Sequence, residues 1–411
     1  MKPLITAPDS PLRNASFLQL LAFRLSSILS YQVVAVTVGW HVYEITRNPF
    51  SLGLIGLAEV IPYFCTAPFA GHLVDHVHRR KLGMLACAML AVTPLLLVAI
   101  TLGWLPVTGT WAIYAAIALT GSVRSFLSPV YNALFARVLP RSQYPRGAGF
   151  GSVIFQAGLV VGPALGGALT GFAGKHVAYA TAVAFALVAM VAVRTLRVTE
   201  PPPPPKMPVL RSIAEGGRFV WGHQILLGAL ALDMFAVLLG GAVALLPAFI
   251  KDILHLGPEA LGILRAAPAL GSICVAAWLA RKPLERNAGR ILLCAVAGFG
   301  LCNIGFGLST SFWLSVAFLL FSGAFDGVSV VIRSTILQLA TPDEMRGRVS
   351  SINGIFIGSS NELGAFYAGS MARLLGLVPA VVLGGFVTMA VAAATARKAP
   401  RLRDLDLKDL Q

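Results

Sequence analysis

Between Phe17 and Ala396 the chain consists of about twelve apolar stretches, each near the ~20 residues an α-helix needs to cross the hydrocarbon of a bilayer, separated by short turns or basic loops. The stretches run over 17–39, 51–74, 82–104, 111–136, 148–172, 176–195, 224–250, 258–281, 290–309, 312–339, 349–374 and 378–396. A sequence of this kind predicts an all-α integral membrane protein. Composition agrees: 57% of the residues are hydrophobic and 12% charged, which is more apolar surface than a water-soluble fold of this size hides. The first stretch is too long, and Arg24 too deep within it, for a cleaved signal peptide.

A net charge of +15 in a soluble protein would suggest nucleic acid, but here the basic residues sit in alternate loops, and no nucleic-acid partner is expected. Arg79, Arg80 and Lys81, then Arg137, Arg141 and Arg146, then Arg281, Lys282, Arg286 and Arg290, then Arg346 and Arg348 fall on one side, together with the basic residues of both termini. The opposite loops offer only Arg47, Lys175 and Lys251. The positive-inside rule places both termini in the cytoplasm of a multi-pass protein of the inner membrane, with lipid as its surroundings. The five cysteines lie within spans and lack Cys-x-x-Cys or Cys/His ligand spacing, so they read as small packing residues, and neither a disulfide nor a metal site is expected.

One long polar interruption, from Glu200 through Pro201–Pro205 to Trp221, falls mid-chain. Five consecutive prolines favour a stiff extended linker, and Ile213, Phe219, Val220 and Trp221 among Arg211, Glu215 and Arg218 predict a short amphipathic helix on the membrane surface. The halves on either side match. A shift of 202 residues, which carries Arg146 onto Arg348, also superposes Pro140 on Pro342, Gly162 on Gly364, Gly167 on Gly369 and Gly121 on Gly323. A shift of 209 carries Pro49 onto Pro258 and Gly53 onto Gly262. The organisation expected is a six-helix bundle over 1–195, a linker with its surface helix over 196–221, a second six-helix bundle over 222–396 and a cytoplasmic tail over 397–411.

The loop after the second span reads Gly71-His-Leu73-Val-Asp75-His-Val-His78-Arg79-Arg80-Lys81. It resembles the loop between spans two and three of the major facilitator superfamily, Gly-x-Leu-x-Asp followed by a basic cluster, with His78 where that family usually carries glycine. The fifth span, Gly158-Leu-Val-Val-Gly162-Pro163-Ala-Leu-Gly166-Gly167, is similar to the superfamily's antiporter signature. Glycines at this spacing clear one helix face for a close neighbour and Pro163 bends the span; plain small-residue packing explains the pattern equally well. Thr341-Pro342-Asp-Glu-Met-Arg346-Gly347-Arg348, followed by Ser359-Ser360-Asn361-Glu362, resembles the drug-proton antiporter-like branch that includes macrolide and siderophore exporters. The resemblance implies twelve spans in two pseudo-symmetric bundles, with spans 1, 4, 7 and 10 lining a central cavity.

Eight ionisable residues lie inside spans: Arg24, Glu59, Arg124, Asp233, Arg265, Asp326, Arg333 and Glu362. Each costs at least ~2.5 kcal/mol in hydrocarbon without a partner or a water-filled cavity. Under the repeat shifts Arg24 falls on Asp233 and Arg124 on Asp326, an arginine in one half facing an aspartate in the other. Their equal depth lets Arg124 and Asp326 approach in at least one state. Static ion pairs, gating pairs and a proton-exchanging carboxylate all fit these residues; Asp326, with Arg333 at i+7, is the first choice for the last. Aromatic residues such as Tyr31, Trp40, Phe126, Phe235 and Phe325 are candidates for a greasy binding surface or for simple packing.

Gly171-Phe-Ala-Gly174-Lys175-His176 lacks the residues of a nucleotide-binding loop, so ATP as energy source is not expected. The expectation is a secondary transporter and not an enzyme, a monomer without cofactor, exporting a small amphipathic organic substrate of drug or siderophore type on the proton gradient. An importer, a lipid or metabolite carrier, and a non-transporting sensor or scaffold on the same fold are the alternatives.

Overall fold

A computed structural model describes residues 11–105, 109–198, 209–281, 286–342 and 345–410. It is helical throughout, with no strand among the described residues. In the first half six long helices follow one another: α1 (Ala15–Thr46), α2 (Pro49–His76), α3 (Arg79–Thr101), α4 (Trp111–Val138), α5 (Tyr144–Phe172) and α6 (Lys175–Thr195). After α7 (Val209–Gly222) come α8 (Gln224–Gly240), α9 (Leu246–Asp252), α10 (Pro258–Arg281), α11 (Ala288–Leu308), α12 (Phe312–Leu339), α13 (Arg346–Leu375), α14 (Leu377–Lys398) and the short α15 (Pro400–Arg403). Eleven helices or helix pairs among the described residues are long and apolar enough to span a membrane. The twelfth, α13, has 30 residues but carries Arg346, Asn353, Asn361 and Glu362, so its length spans while its composition is more polar.

The surface follows from bilayer chemistry. Leu85, Leu95, Val153, Phe172, Leu301, Leu314, Phe321 and Phe386 are exposed, as residues facing lipid should be. Trp104, Trp111, Trp221, Trp278 and Trp313 are exposed at or near helix ends, where an indole can sit at the level of the headgroups.

The chain divides into two compact units, Met1–His41 with Ile61–Met207, and Val42–Val60 with Pro208–Gln411. In the first, α3 packs against α4 and α6 over a core of Phe17, Leu20, Leu90, Val130, Leu134 and Val193. In the second, α11 packs in the same way against α12 and α14, over Leu226, Leu292, Ile332, Ile336 and Leu402. The glycine positions related by the 202-residue shift make equivalent contacts. A Cβ on Gly162 of α5 would fall 2.6 Å from Cβ of Gln32 on α1, and one on Gly364 of α13 would fall 3.1 Å from Cα of Leu238 on α8. The fifth helix of each half therefore presses its small-residue face onto the first.

Three local details depart from a plain reading of apolar runs. The stretch at 224–250 is not one helix: it breaks after Gly240-Gly241, passes through a 3-10 turn at Ala242–Leu245 and resumes with Pro247 in the first turn of α9. The Gly240 carbonyl, left without a helical partner by the break, accepts a bond from Asn303 Nδ2 at 3.0 Å, as an exposed backbone group at this depth requires. The turn after α2 takes only Val77 and His78, and His78 caps α3 at φ −54°, so no glycine is needed there. The tail over 397–411 folds back: Leu402, Leu405 and Leu407 are buried, Gly289 N donates to Leu405 O at 3.1 Å, and Arg290 and Arg403 bind Asp404 at 3.2 and 2.7 Å. The Arg403 and Arg290 guanidiniums pull the Asp404 carboxyl down to about 2. A helix is present before Trp221 as α7, with Val220 buried against Val349 and Ile352 of α13, whereas the polyproline run lies outside the described residues.

Candidate functional site

Residues expected from sequence gather in each unit separately. In the second unit, Arg333 of α12 forms an ion pair with Asp233 of α8, and both side chains are buried, with 7% and 9% of their surface accessible. Its Nε also donates to Ser329 Oγ, one turn earlier, at 3.1 Å. Asp326, two turns before Arg333 on the same helix, is within electrostatic reach of both Asp233 and Arg333. The i+7 spacing puts Arg333 on the same face of α12 as Asp326, and its direct partner comes from another helix. Two carboxylates and one guanidinium leave this group one negative charge in excess when all are ionised, and uptake of one proton balances it.

In the first unit Arg24 of α1 and Arg124 of α4 line one cavity of about 220 Å³. Aromatic faces hold the guanidiniums: Arg24 lies 4.1 Å from the centre of the Tyr131 ring and 5.1 Å from that of Phe155, and Arg124 lies 4.7 Å from that of Tyr31. Ser27, Ser128 and Asn132 add polar groups to the wall. The repeat-related positions thus converge in both units, 24 with 124 around the cavity and 233 with 326 around Arg333, as an internal duplication requires.

Glu59 and Glu362 lie on α2 and α13, which cross within the second unit. A Cβ on Gly56 would meet the Glu362 carbonyl at 2.6 Å and one on Gly53 would meet Phe366 Cα at 3.1 Å, so glycine is what allows this crossing. Both glutamates are half-buried and engaged by other groups. Arg265 is likewise engaged, on α10. Of the motif residues, Gly158, Gly162 and Gly166 pack on Ile28, Gln32 and Val33 of α1, Pro163 lies inside α5, and Gly167 is buried. Gly71 and Asp75 belong to the last turns of α2 and Arg79 and Arg80 open α3, while Arg346 and Arg348 open α13; the side chains at 71, 75, 346 and 348 are outside the described set. Of the aromatics named from sequence, Tyr31 lines the cavity, Trp40 is buried, Phe126 packs against the core, and Phe235 and Phe325 are exposed.

Sequence reasoning missed Tyr131 and Phe155, because an aromatic on a span carries no mark of which way it faces. It also missed the hydrogen bond from the Tyr43 hydroxyl, near the end of α1, to Asp252 at the end of α9. Asp252 lies two residues past the apolar stretch at 224–250, and a carboxylate at that position looks like an ordinary span boundary.

Two six-helix repeats with charges buried at mid-span define a polytopic α-helical transporter. The sequence profile of the Major Facilitator Superfamily matches residues 20–365, and the chain belongs to that family. It is 25% identical over 366 residues to the enterobactin exporter EntS of Citrobacter koseri, an alignment covering 88% of this chain and 86% of the relative, and equally to that of Escherichia coli O1:K1. Among solved structures the fold is similar to a bacterial homologue of the human lysosomal transporter Spinster in its inward-facing, occupied conformation (TM-score 0.75, 13% identity, 96% and 98% of the two chains). It is also similar to a POT family transporter in complex with 5-aminolevulinic acid (TM-score 0.74, 10% identity, 94% and 96%).

Proposed function

We propose that this chain is a secondary active exporter that moves a small amphipathic organic compound of siderophore type out of the cytoplasm by alternating access, in exchange for protons. The observation that carries the coupling is the buried Asp233–Arg333 pair with Asp326 beside it. A pair alone would be static. A third ionisable group in the same low-dielectric space gives the cluster two charge states, and a conformational equilibrium can be biased by choosing between them. Export as the direction, and a siderophore-like substrate, rest on the likeness to enterobactin exporters over nearly the whole chain. On this reading the protein is a monomer of the inner membrane with both termini cytoplasmic, it needs no cofactor, and Arg124 approaches Asp326 in at least one state of the cycle.

The test is efflux from energised cells. Cells expressing the chain and preloaded with a fluorescent amphipathic dye or a labelled siderophore should lose it faster than control cells, and a protonophore should remove the difference. Equal efflux with and without the chain, across a panel of dyes, antibiotics and siderophores, would overturn the export reading.

A further inference from the structure

The folded tail leaves one surface of the second unit with unbalanced charge. Over 286–290 and 397–406 the chain carries six cations, Arg286, Arg290, Arg397, Lys398, Arg401 and Arg403, against the two carboxylates of Asp404 and Asp406. Both carboxylates are committed within the fold. Asp404 binds Arg290 and Arg403 at 3.2 and 2.7 Å, and Asp406 accepts the backbone N–H of Asn287. Arg286, Arg397, Lys398 and Arg401 are exposed, and none of these four side chains has an ion pair or a hydrogen bond among the described residues. Packing fixes where they stand. Leu402, Leu405 and Leu407 are buried in one core with Leu226 of α8, Leu292 of α11 and Ile336 of α12. A Cβ on Gly289 would collide with the Leu402 carbonyl, so glycine is what lets the tail lie this close to the start of α11. The level in the membrane follows from α14. Leu383 and Phe386 are exposed on it, so the helix borders lipid, and Arg397 and Lys398 fill its last turn directly after the apolar stretch at 378–396, within a turn of the hydrocarbon edge.

We propose that this corner, Arg397, Lys398 and Arg401 with Arg286 next to the Asn287–Asp406 contact, binds the phosphodiester headgroup of an anionic phospholipid. The inference does not depend on the direction of transport or on its coupling. Cations at the edge of the hydrocarbon attract anionic headgroups, and here the only described carboxylates of the corner are already paired, so they do not compete with the phosphate. The Arg403 and Arg290 guanidiniums hold the Asp404 carboxyl down to about 2, so it stays ionised at physiological pH, keeps those two neutralised and leaves the other four cations to the lipid. A bound phosphate also relieves the repulsion among four like charges gathered around one turn of chain. Lipid held here therefore steadies the tail on α8, where a Cβ on Gly228 would lie 3.1 Å from Leu402 Cδ2. The 202-residue shift relates the end of α14 to the end of α6, which carries two exposed arginines, Arg194 and Arg197, and serves as the internal comparison.

The experiment is native mass spectrometry of the purified full-length protein in a nonionic detergent, titrated with dioleoyl phosphatidylglycerol and, as the counterpart without net charge, dioleoyl phosphatidylcholine. Wild type should retain phosphatidylglycerol in preference to phosphatidylcholine. Arg397→Gln, Lys398→Gln and Arg401→Gln combined should weaken phosphatidylglycerol binding by about fivefold for each cation removed. Arg194→Gln with Arg197→Gln, at the equivalent end of α6, should leave it unchanged. Arg401→Gln alone, which does not touch α14, should show one such step, so the test stands even if the triple variant folds poorly. Arg397→Lys with Arg401→Lys should keep most of the binding, because charge beside the headgroup holds it and a guanidinium fork is not required. Thermal unfolding followed in parallel should show phosphatidylglycerol raising the midpoint of wild type and not that of the triple variant. Equal affinity in wild type and in both Gln variants, or an equal loss in the α6 control, would overturn the site and return the lipid to the basic surface at large. Displacement of the lipid by inorganic phosphate would overturn it in favour of a free anion.

Discussion

Asp233 and Arg333 meet where neither could be tolerated alone, and their behaviour on substitution follows from that. Removing one partner leaves an uncompensated buried charge, an effect of about 3–5 kcal/mol in buried pairs, whereas replacing both by apolar side chains of similar volume is often close to neutral. Arg333→Met should therefore lower the unfolding temperature in detergent, and the double variant Asp233→Leu with Arg333→Met should recover most of that loss while remaining inactive in transport. Recovery of stability without recovery of transport separates the functional use of the pair from its structural one. A double variant no more stable than the single would show that the pair is not an isolated unit. The ionisable positions were readable from sequence because a charge in a span is conspicuous. Their partners were not. Asp233 lies on α8, a hundred residues before Arg333, and nothing in the periodicity of α12 points to it.

At the scale of helices, glycine decides which elements touch. The face of α5 at Gly158, Gly162 and Gly166 lies against Ile28, Gln32 and Val33 of α1 with no room for a side chain. Gly162→Leu should force the helices apart at a cost of about 1–3 kcal/mol, the usual range for overpacking, and reduce transport; unfolding temperature and efflux rate together check it, and a Gly162→Leu protein of normal stability would show that the contact is loose. The glycine spacing made a close helix approach legible, but not that α1 supplies the other face. Helix existence was legible for the same reason that it was forced, since hydrocarbon leaves a span no other way to satisfy its backbone. The break at Gly240-Gly241 was missed because its freed carbonyl is satisfied by Asn303, sixty-three residues away. At the far end of α9 from that break, Asp252 accepts a hydrogen bond from Tyr43 of α1. If α1 moves during the cycle, cysteines at 43 and 252 should, when oxidised, cross-link and stop transport, and a reductant should restore it. Full activity in the cross-linked protein would show that this end of α1 stays with α9 throughout.

For the whole molecule the two halves carry different residues at equivalent positions: 24 and 124 are arginines around a cavity, 233 and 326 are aspartates around Arg333. A duplication that places opposite charges at matching depth has the parts to separate substrate recognition from ion coupling, one in each half. Orientation enters here as well. If the basic turn before α5 is cytoplasmic, as proposed from the positive-inside distribution, a cysteine at Ser142 should resist a membrane-impermeant maleimide in intact cells and react after permeabilisation. Labelling in intact cells would invert the topology. The central claim, that a proton exchanges for substrate through the Asp326 cluster, is tested most directly in proteoliposomes of purified protein carrying a pH-sensitive dye inside. With the lumen acid, wild type should accumulate the exported substrate identified in the efflux panel while the lumen becomes more alkaline, and Asp326→Asn should lose gradient-driven accumulation yet still exchange labelled for unlabelled substrate. Equal accumulation with and without the gradient, or an Asp326→Asn protein that still couples, would contradict it.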